Sequence, residues 1–489
     1  MASRALKAAT LAIGRTMAAL AGLAGGAVLS RVLVQEDYGV WRQTRLVYET
    51  VAPLLMLGLP KALLYFMPRE PERARGVLTE HLLTLTLGGA LFAVLIALGG
   101  NHLLAWAFDT PILSLTLLIL IPYGLFMFPI SALQACLIAR DQVQWSALFP
   151  VISQVVSLGL VIAAGVIWAT PVAVITALVV GAALTAGPGL WLMWRSTAGT
   201  QSTFALSNGL DHLRYAVPLG LASMIGMLSR KLDQIIVSSS ASTEAYAIYA
   251  NGAMELPLIG AITGSITAIL LPDMARMYRD GQRGEIVALW QRAMGKSMLI
   301  LAPTMVFVLL MAPEIMRVLF SSAYEGSAEP FRVYALLLPG RAAVYGAVLM
   351  AAGRTRTITV LTAILLGMNA LLSVVLVHWL GPVGAAWATV ISTYLIIGGF
   401  IWVIGGLMET PTAKVVAWGD VGFTVLLAAL ALAPSWGLSQ LGFWSELGDF
   451  WRLSIAGGVF GLVLLVAYQV TGRVSVGQLV GIVKRRLGR

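Results

Sequence analysis

The chain has 489 residues, of which 59% are hydrophobic and only 11% are charged, whereas soluble globular proteins carry about 25% charged residues. Its mean hydropathy is +0.87, so most of its surface is expected to face lipid, and a soluble globular protein is excluded. The formal net charge of +10 would suit a nucleic-acid partner, but the distribution of the basic residues favours a membrane surface instead.

Apolar segments long enough to cross a bilayer recur along the whole chain. About 20 helical residues span the ~30 Å hydrocarbon core. The first segment follows Arg4 and Lys7 as a signal peptide would, but it is long and contains Arg15, so it is interpreted as a retained helix. The fourteen predicted spans are residues 9–30, 43–66, 77–99, 112–136, 147–168, 172–194, 213–237, 246–271, 297–320, 331–352, 357–379, 383–407, 415–434 and 451–470.

Lysine and arginine are distributed over the predicted loops as the positive-inside rule requires. With a cytoplasmic N-terminus, 21 of the 32 basic residues lie on the cytoplasmic side, and five lie inside spans. Both termini are therefore predicted to be cytoplasmic, with the basic excess facing anionic lipid headgroups rather than nucleic acid. The six basic residues on the opposite side are Arg31, Arg42, Arg45, Arg317, Arg332 and Arg452.

Motifs for catalysis or cofactor binding are missing from the sequence. Cys136, the only cysteine, lies in an apolar span and is interpreted as a buried small side chain. No glycine-rich nucleotide loop or zinc-ligand spacing occurs, and the four histidines have no acid or base partner at a readable spacing. No metal or cofactor is expected, and the predicted periplasmic loops are too short for a membrane polymerase or ligase. Transport would then be driven by an ion gradient or by the substrate gradient.

The residues after the first span resemble those after the seventh at a constant offset of 208. Glu36 matches Glu244, Tyr38 matches Tyr246, and Trp41 corresponds to Tyr249. Chance similarity is the alternative, because Tyr and Trp are common at membrane interfaces. An offset of six helices preserves orientation, so a parallel repeat is predicted.

The predicted fold is therefore an all-α polytopic membrane protein with about 14 transmembrane helices. Two pseudo-symmetric six-helix bundles would surround a central cavity. The predicted parts are an N-terminal lobe (residues 1–195), a cytoplasmic linker (196–212), a C-terminal lobe (213–408), and helices 13 and 14 with a basic cytoplasmic tail (409–489).

Five basic residues remain inside predicted spans, where a charge costs at least ~2.5–3.5 kcal/mol on insertion scales. They are Arg15, Lys61, Arg230, Lys231 and Arg341. Arg15 and Lys61 could extend their charges to the interface. The candidate acidic partners are Glu49, Asp233 and Glu255: Arg341 could pair with Glu255, and Asp233 could neutralise Arg230 at i+3.

A wet cationic cavity accounts for these five residues more economically than separate structural pairs do. Such a cavity suits a phosphate or pyrophosphate head group, for which arginine offers a two-pronged donor. Asp233 or Glu255 is the candidate carrier of a coupling proton or Na⁺, because burial raises the pKa of a carboxyl group and a nearby cation lowers it.

Several short segments resemble the Wzx-type polysaccharide and O-antigen flippases of the multidrug/oligosaccharidyl-lipid/polysaccharide exporter superfamily. The resemblance covers predicted helices one to twelve, and it depends on the order and spacing of the segments. These are Leu29-Ser30-Arg31-Val32-Leu33 through Tyr38-Gly39-Val40-Trp41, Asp233-Gln234-Ile235-Ile236-Val237, Val318-Leu319-Phe320 with Tyr324, Phe331-Arg332, and Gly381-Pro382-Val383-Gly384-Ala385-Ala386.

This resemblance implies that a polyprenyl-pyrophosphate-linked oligosaccharide crosses the bacterial inner membrane by alternating access. The product would be O-antigen lipopolysaccharide, capsule or exopolysaccharide, and the partners would be membrane lipids and the polysaccharide polymerase machinery. By position in the matching helices, the five intramembrane cations would line the family's cationic cavity.

Two other branches of the superfamily share part of this pattern. Lipid II flippases also have fourteen helices, but their characteristic early-loop pattern is not found. Ion-coupled exporters of small molecules or drugs usually have twelve helices, and a cationic drug would require an acidic cavity.

Overall fold

The structure is a computed structural model that describes residues 2–204, 206–254 and 256–473. Every regular element among these residues is a helix, as the all-α prediction requires. The first eleven are α1 (Ala2–Val32), α2 (Gln35–Met56), α3 (Leu59–Arg69), α4 (Ala74–Leu95), α5 (Asn101–Ala107), α6 (Ile112–Ile130), α7 (Leu133–Ala139), α8 (Val143–Trp168), α9 (Pro171–Ser196), α10 (Leu206–Ser240) and α11 (Thr243–Gly252).

Eleven further helices follow in the described part of the chain. They are α12 (Pro257–Arg279), α13 (Arg283–Phe320), α14 (Ala328–Ala335), α15 (Leu338–Arg341), α16 (Tyr345–Ala351), α17 (Thr355–Leu380), α18 (Pro382–Leu407), α19 (Thr412–Val415), α20 (Trp418–Ser439), α21 (Gly442–Glu446) and α22 (Asp449–Val470). Short 3₁₀ turns form at Pro71–Arg73 and Ser322–Ser327, and a π-helical segment forms at Ile96–Gly100.

The helices agree with the predicted membrane crossings. In the described part of the chain, ten segments are long and apolar enough to span a bilayer, and a pair bent by 46°, Ser322–Ala335 with Leu338–Ala351, forms one more candidate. Each predicted span coincides with one helix or with a broken run of helices. The chain is therefore a multi-pass membrane protein with an all-α fold.

The second span is broken between α2 and α3. Leu57 and Gly58 adopt positive φ values of 48° and 75°. Pro60 is then the second residue of α3, in the first turn, where a missing N–H is tolerated. Gly220 of α10 packs directly against this break, since a Cβ at Gly220 would lie 2.3 Å from the backbone carbon of Leu57. The break therefore brings the backbones of α2 and α10 close together.

The described residues group into two compact units. The first comprises those within Met1–Asn251, Glu255–Ala261 and Thr359–Ser392, and the second those within Gly252–Met254, Ile262–Ile358 and Thr393–Arg489. Helix α10 thus packs in the first unit, although its sequence lies in the predicted C-terminal lobe. The division into lobes at 1–195 and 213–408 stays a prediction.

The core of the first unit includes side chains from α3, α4, α7 and α9. Leu63, Leu78, Cys136 and Met193 lie in one buried hydrophobic cluster. The thiol of Cys136 is 3.5 Å from the hydroxyl of Ser196. The prediction that Cys136 is a buried small side chain is confirmed.

In the second unit, α20 and α22 pack along α13. Met311, Trp444 and Ala456 form the buried centre of this contact. Tyr468 of α22 donates a 2.9 Å hydrogen bond to the carbonyl of Leu299. The last two predicted membrane helices are therefore fastened to the ninth.

A charged group supports the same contact at the other end of α13. The guanidinium of Arg317 donates to both carboxylate oxygens of Asp449, at 3.0 and 2.8 Å, and it also pairs with Glu325 at 2.9 Å and Glu314 at 3.4 Å. One partly buried arginine therefore pairs with three carboxylates, one of them on α22.

Helix boundaries follow the predicted repeat. α1 ends at Val32 and α2 begins at Gln35, while α10 ends at Ser240 and α11 begins at Thr243. Both boundaries differ by the offset of 208 seen in the sequence. The two related segments therefore have the same local structure, a long helix followed by a two-residue break and a second helix.

Candidate functional site

Charged side chains near the middle of the second membrane span form the candidate site. Helices α2 and α3 belong to one 35-residue span, Gln35–Arg69, and Glu49 is its fifteenth residue. An ionised side chain is costly at such a depth unless it is paired or hydrated. Charges here therefore require either a partner or access to water.

Arg42 and Arg45, predicted on the side of the membrane opposite the termini, both lie in helix α2. Helix α2 begins at Gln35, eight residues before the predicted span at residue 43, so both arginines are helical. The apolar pattern does not show that these polar residues are helical, because a helix is held by backbone hydrogen bonds whether its side chains are polar or apolar. Arg42 and Arg45 therefore lie on the same helix as Glu49.

Glu49 bridges two cations that come from different helices. Arg45 Nη2 donates to its Oε1 at 2.7 Å, and Lys231 Nζ of α10 donates to its Oε2 at 2.7 Å. The exposed fractions of the side chains are 40% for Arg45, 33% for Glu49 and 27% for Lys231. We call these three residues the Glu49 cluster. Its charged groups are paired with one another and still accessible.

A buried polar layer joins α2, α10 and α11 in the same unit. Tyr249 donates a 2.6 Å hydrogen bond to Asp233 Oδ2, and Tyr38 donates one of 2.8 Å to Asn251 Oδ1. All four of these residues are at most 1% exposed. Arg42 Nη2 donates to the carbonyl of Ala250 at 2.6 Å. Helix α11 is therefore held against α2 by hydrogen bonds that do not involve Glu49.

Two of the sequence-predicted cations, Lys61 and Lys231, make contacts between α10 and the second span. Lys61 Nζ of α3 lies 3.4 Å from Ser223 Oγ of α10. Ser223 precedes Lys231 by eight residues, which is about 12 Å along a helix axis. Arg230 is exposed beside Lys231. Lys61 and Lys231 therefore both lie where α10 meets the second span, about two helical turns apart.

The other sequence-predicted residues are not joined to this group by the described geometry. Arg341 ends α15 in the second unit, where it is exposed. Glu255 and the side chain of Arg15 lie outside the described residues, so the suggested Arg341–Glu255 bridge stays untested. Asp233 is buried and accepts the hydroxyl proton of Tyr249, a partner that the i+3 pairing with Arg230 did not foresee.

Arg45 and Glu49 were missed as a functional pair, although the sequence contained a signal for them. They are spaced i, i+4, the separation at which opposite charges meet on a helix. The pair was overlooked because Arg45 was counted with the basic residues of the opposite membrane side rather than with those inside spans. Lys231 was identified by its depth alone, and its partner 182 residues away could not be read from spacing.

A second polar cluster, also missed, lies where α3, α4 and α10 meet. Arg73 Nη1 pairs with the buried Glu80 at 2.7 Å, and His212 Nδ1 lies 3.5 Å from the other oxygen of Glu80. The ring of His212 packs 4.1 Å from that of Phe66 and 4.6 Å from that of His81. Two histidines without readable partners in the sequence are therefore brought together by folding.

This cluster also fastens the predicted cytoplasmic linker. Arg73 Nη1 donates to the carbonyl of Thr203 at 3.0 Å. Backbone hydrogen bonds join Gly76 N to Gln201 O and Gln201 N to Glu72 O. Among the described residues, no group of three histidine, cysteine or acidic side chains is arranged to hold a metal ion.

A model of the family described as polysaccharide biosynthesis protein matches residues 28–329, which is more than half of the chain and includes α2, α3, α10 and α11. The chain belongs to this family. The resemblance to polysaccharide exporters that the sequence segments predicted is confirmed by this family match.

The chain is also similar to characterised and solved relatives. A probable lipid II flippase MurJ from Rhizobium meliloti (strain 1021) is 23% identical over 236 residues, which cover 45% of this chain and 43% of that protein. The match therefore spans less than half of the length of that relative.

Among solved structures, a lipid II flippase MurJ in an inward closed conformation has a TM-score of 0.77 at 16% identity, covering 96% of this chain and 99% of that one. An inward-facing multidrug resistance MATE transporter has a TM-score of 0.63 at 15% identity, covering 82% and 99%. At these identities the likeness establishes the fold alone.

Proposed function

We propose that this protein translocates a polyprenyl-pyrophosphate-linked oligosaccharide across the bacterial inner membrane for surface polysaccharide biosynthesis. The observation that carries the proposal is the Glu49 cluster, in which Arg45 and Lys231 are accessible at mid-span. Membership of the polysaccharide biosynthesis protein family supports the same class of cargo. O-antigen, capsule and exopolysaccharide are the products considered.

The chemistry of such a cargo explains why cations are needed inside the membrane. The polyprenyl chain can remain in the hydrocarbon region, whereas the pyrophosphate carries charge that must cross it. Arginine provides a planar donor that matches two phosphate oxygens, and lysine adds a compact positive charge. Arg45, Lys61, Arg230 and Lys231 would together replace part of the hydration lost by the pyrophosphate.

Export of a cationic small molecule or drug is the competing function within the superfamily. It would require an excess of accessible carboxylates near mid-span. Among the described residues near the middle of the second and seventh predicted spans, the accessible cations Arg45, Lys61, Arg230 and Lys231 outnumber the accessible carboxylate of Glu49, since Asp233 is buried. The sign of this charge favours an anionic cargo.

The remaining predicted roles form part of the proposal. Arg15 and Arg341 would complete the cationic surface, and Asp233 or Glu255 would carry a coupling ion. Residues 1–195 and 213–408 would form the two moving lobes around a central cavity.

The test is a deletion of the gene in the native bacterium. We expect one surface polysaccharide to disappear and its lipid-linked repeat unit to accumulate on the cytoplasmic leaflet. Complementation by the wild type should restore the polymer, whereas complementation by Lys231→Met should not. Normal polymer in the deletion strain, or accumulation of an intracellular drug instead, would refute the proposal.

A further inference from the structure

The two cations of the Glu49 cluster already hold an anion that belongs to the protein. Each oxygen of the Glu49 carboxylate accepts one charged donor at 2.7 Å, from Arg45 on one side and from Lys231 on the other. A phosphate group also presents separate oxygens to arginine and lysine donors. The side chain of Glu49 thus occupies the position that a bound phosphate would take.

We infer that Glu49 stands in for the phosphate of the cargo in the unloaded protein, and that an arriving phosphate displaces it from Lys231. The identity of the anion rests on the proposed function. The inference assigns Glu49 a role in specificity and release, as an internal competitor for the cargo.

The exposure of the cluster argues against a purely structural ion pair. An ion pair that stays accessible to solvent contributes little to stability, so it does little to fasten two helices. Here between 27% and 40% of each side chain is exposed. An incoming anion can therefore reach Arg45 and Lys231 without unfolding either helix.

Other contacts hold these helices together. Tyr38 with Asn251, Tyr249 with Asp233, and the close approach of Gly39 to Thr243 are all independent of Glu49. Displacement of the carboxylate therefore leaves the packing of α2, α10 and α11 intact. The helical spacing i, i+4 keeps Glu49 beside Arg45 after it has left Lys231.

An internal competitor has a physical advantage for a flippase. A pyrophosphate-linked cargo carries more charge than one carboxylate, so it gains more Coulomb energy from the same cations. The apparent affinity for the cargo is nevertheless reduced, because the cargo binds only those molecules in which Glu49 has left Lys231. Glu49 thus weakens retention of the cargo and favours its release.

The experiment measures binding of inorganic pyrophosphate and of farnesyl pyrophosphate to the full-length protein in nanodiscs. Glu49→Gln should bind both probes at least about tenfold more tightly than the wild type, since a charge-assisted competitor has been removed. Adding Lys231→Met to Glu49→Gln should abolish this gain. Glu36→Gln removes an exposed charge from the first turn of the same helix and should leave the affinity unchanged.

The outcomes separate the inference from the proposed function. If the wild type binds the probes and Glu49→Gln binds no more tightly than Glu36→Gln, the inference is wrong while the proposed function stands. If neither the wild type nor Glu49→Gln binds a probe, both are wrong. Glu49→Ala serves as a second variant should Glu49→Gln fail to fold, and it should also bind more tightly than the wild type.

Discussion

The hydroxyl of Tyr38 donates a 2.8 Å hydrogen bond to Asn251, 213 residues further along the chain. The bond joins the two segments that the 208-residue offset relates, and the counterpart of Tyr38 in the second segment, Tyr246, is buried as well. Parallel repeats related by an axis along the membrane normal can bring equivalent segments together near that axis. The predicted repeat is therefore also a packing contact within the first unit.

Gly39 tests this contact, since a Cβ there would lie 2.4 Å from the carbonyl oxygen of Thr243. We expect Gly39→Val to force α2 and α11 apart and to lower stability by about 1–3 kcal/mol, as overpacking does. The measurement is thermal unfolding in detergent. Gly159→Ala, where no atom lies within 4 Å, is the control. Equal unfolding temperatures for both variants would contradict the observed packing.

Lys231 tests the candidate site directly. Lys231→Met removes one cation of the Glu49 cluster and leaves Glu49 without its partner on α10, so polysaccharide export in a complemented deletion strain should fall at least about tenfold. Arg214→Gln removes a cation from the same helix at a position that is 80% exposed and should retain full export. A Lys231→Met strain with normal export would remove Lys231 from the site.

Arg317 should matter for stability. Arg317→Met leaves Glu314, Glu325 and Asp449 without their shared cation. A loss of about 2 kcal/mol is expected, less than the ~3–5 kcal/mol of a fully buried pair, because Arg317 keeps some contact with solvent. Arg276→Met disrupts only an exposed pair with Asp273 and should change stability by less than about 0.5 kcal/mol. Chemical unfolding of both variants, read by tryptophan fluorescence, compares the two losses.

Arg73 should hold the linker between α9 and α10 in place. Arg73→Gln removes the charge opposite the buried Glu80 and weakens the contact with Thr203. We expect amide hydrogen exchange at residues 197–204 to become faster, while exchange in α8 remains unchanged. The same measurement on Arg214→Gln provides the reference. Unaltered exchange in the linker would show that its backbone hydrogen bonds suffice.

The predicted orientation can be tested with introduced cysteines in a Cys136→Ala background. Ser445→Cys lies in α21, predicted to be periplasmic, and Gly281→Cys lies in the turn before α13, predicted to be cytoplasmic. A membrane-impermeant thiol reagent added to spheroplasts should label the first variant, and the second only after the membrane is permeabilised. The reverse pattern would invert the topology.

The membrane spans could be predicted because they depend on local properties. A helix closes its own backbone hydrogen bonds and needs only a sufficient apolar length to cross the bilayer. This is why the helical breaks near residues 33 and 241 appear where the sequence places them. The predicted second span begins eight residues after the start of α2, because hydropathy does not distinguish polar helical turns, such as that of Arg42, from loops.

The sequence by itself determined the class of protein, the succession of spans, the repeat, and the depth of Lys61 and Lys231. Only the tertiary structure decided which polar side chains meet: Lys231 with Glu49, Tyr249 with Asp233, and His212 with Glu80. Hydropathy acts on each segment separately, whereas an ion pair between helices depends on how segments far apart in the chain rotate and pack against each other. That information is held in the complementary shapes of helix surfaces and not in any local pattern.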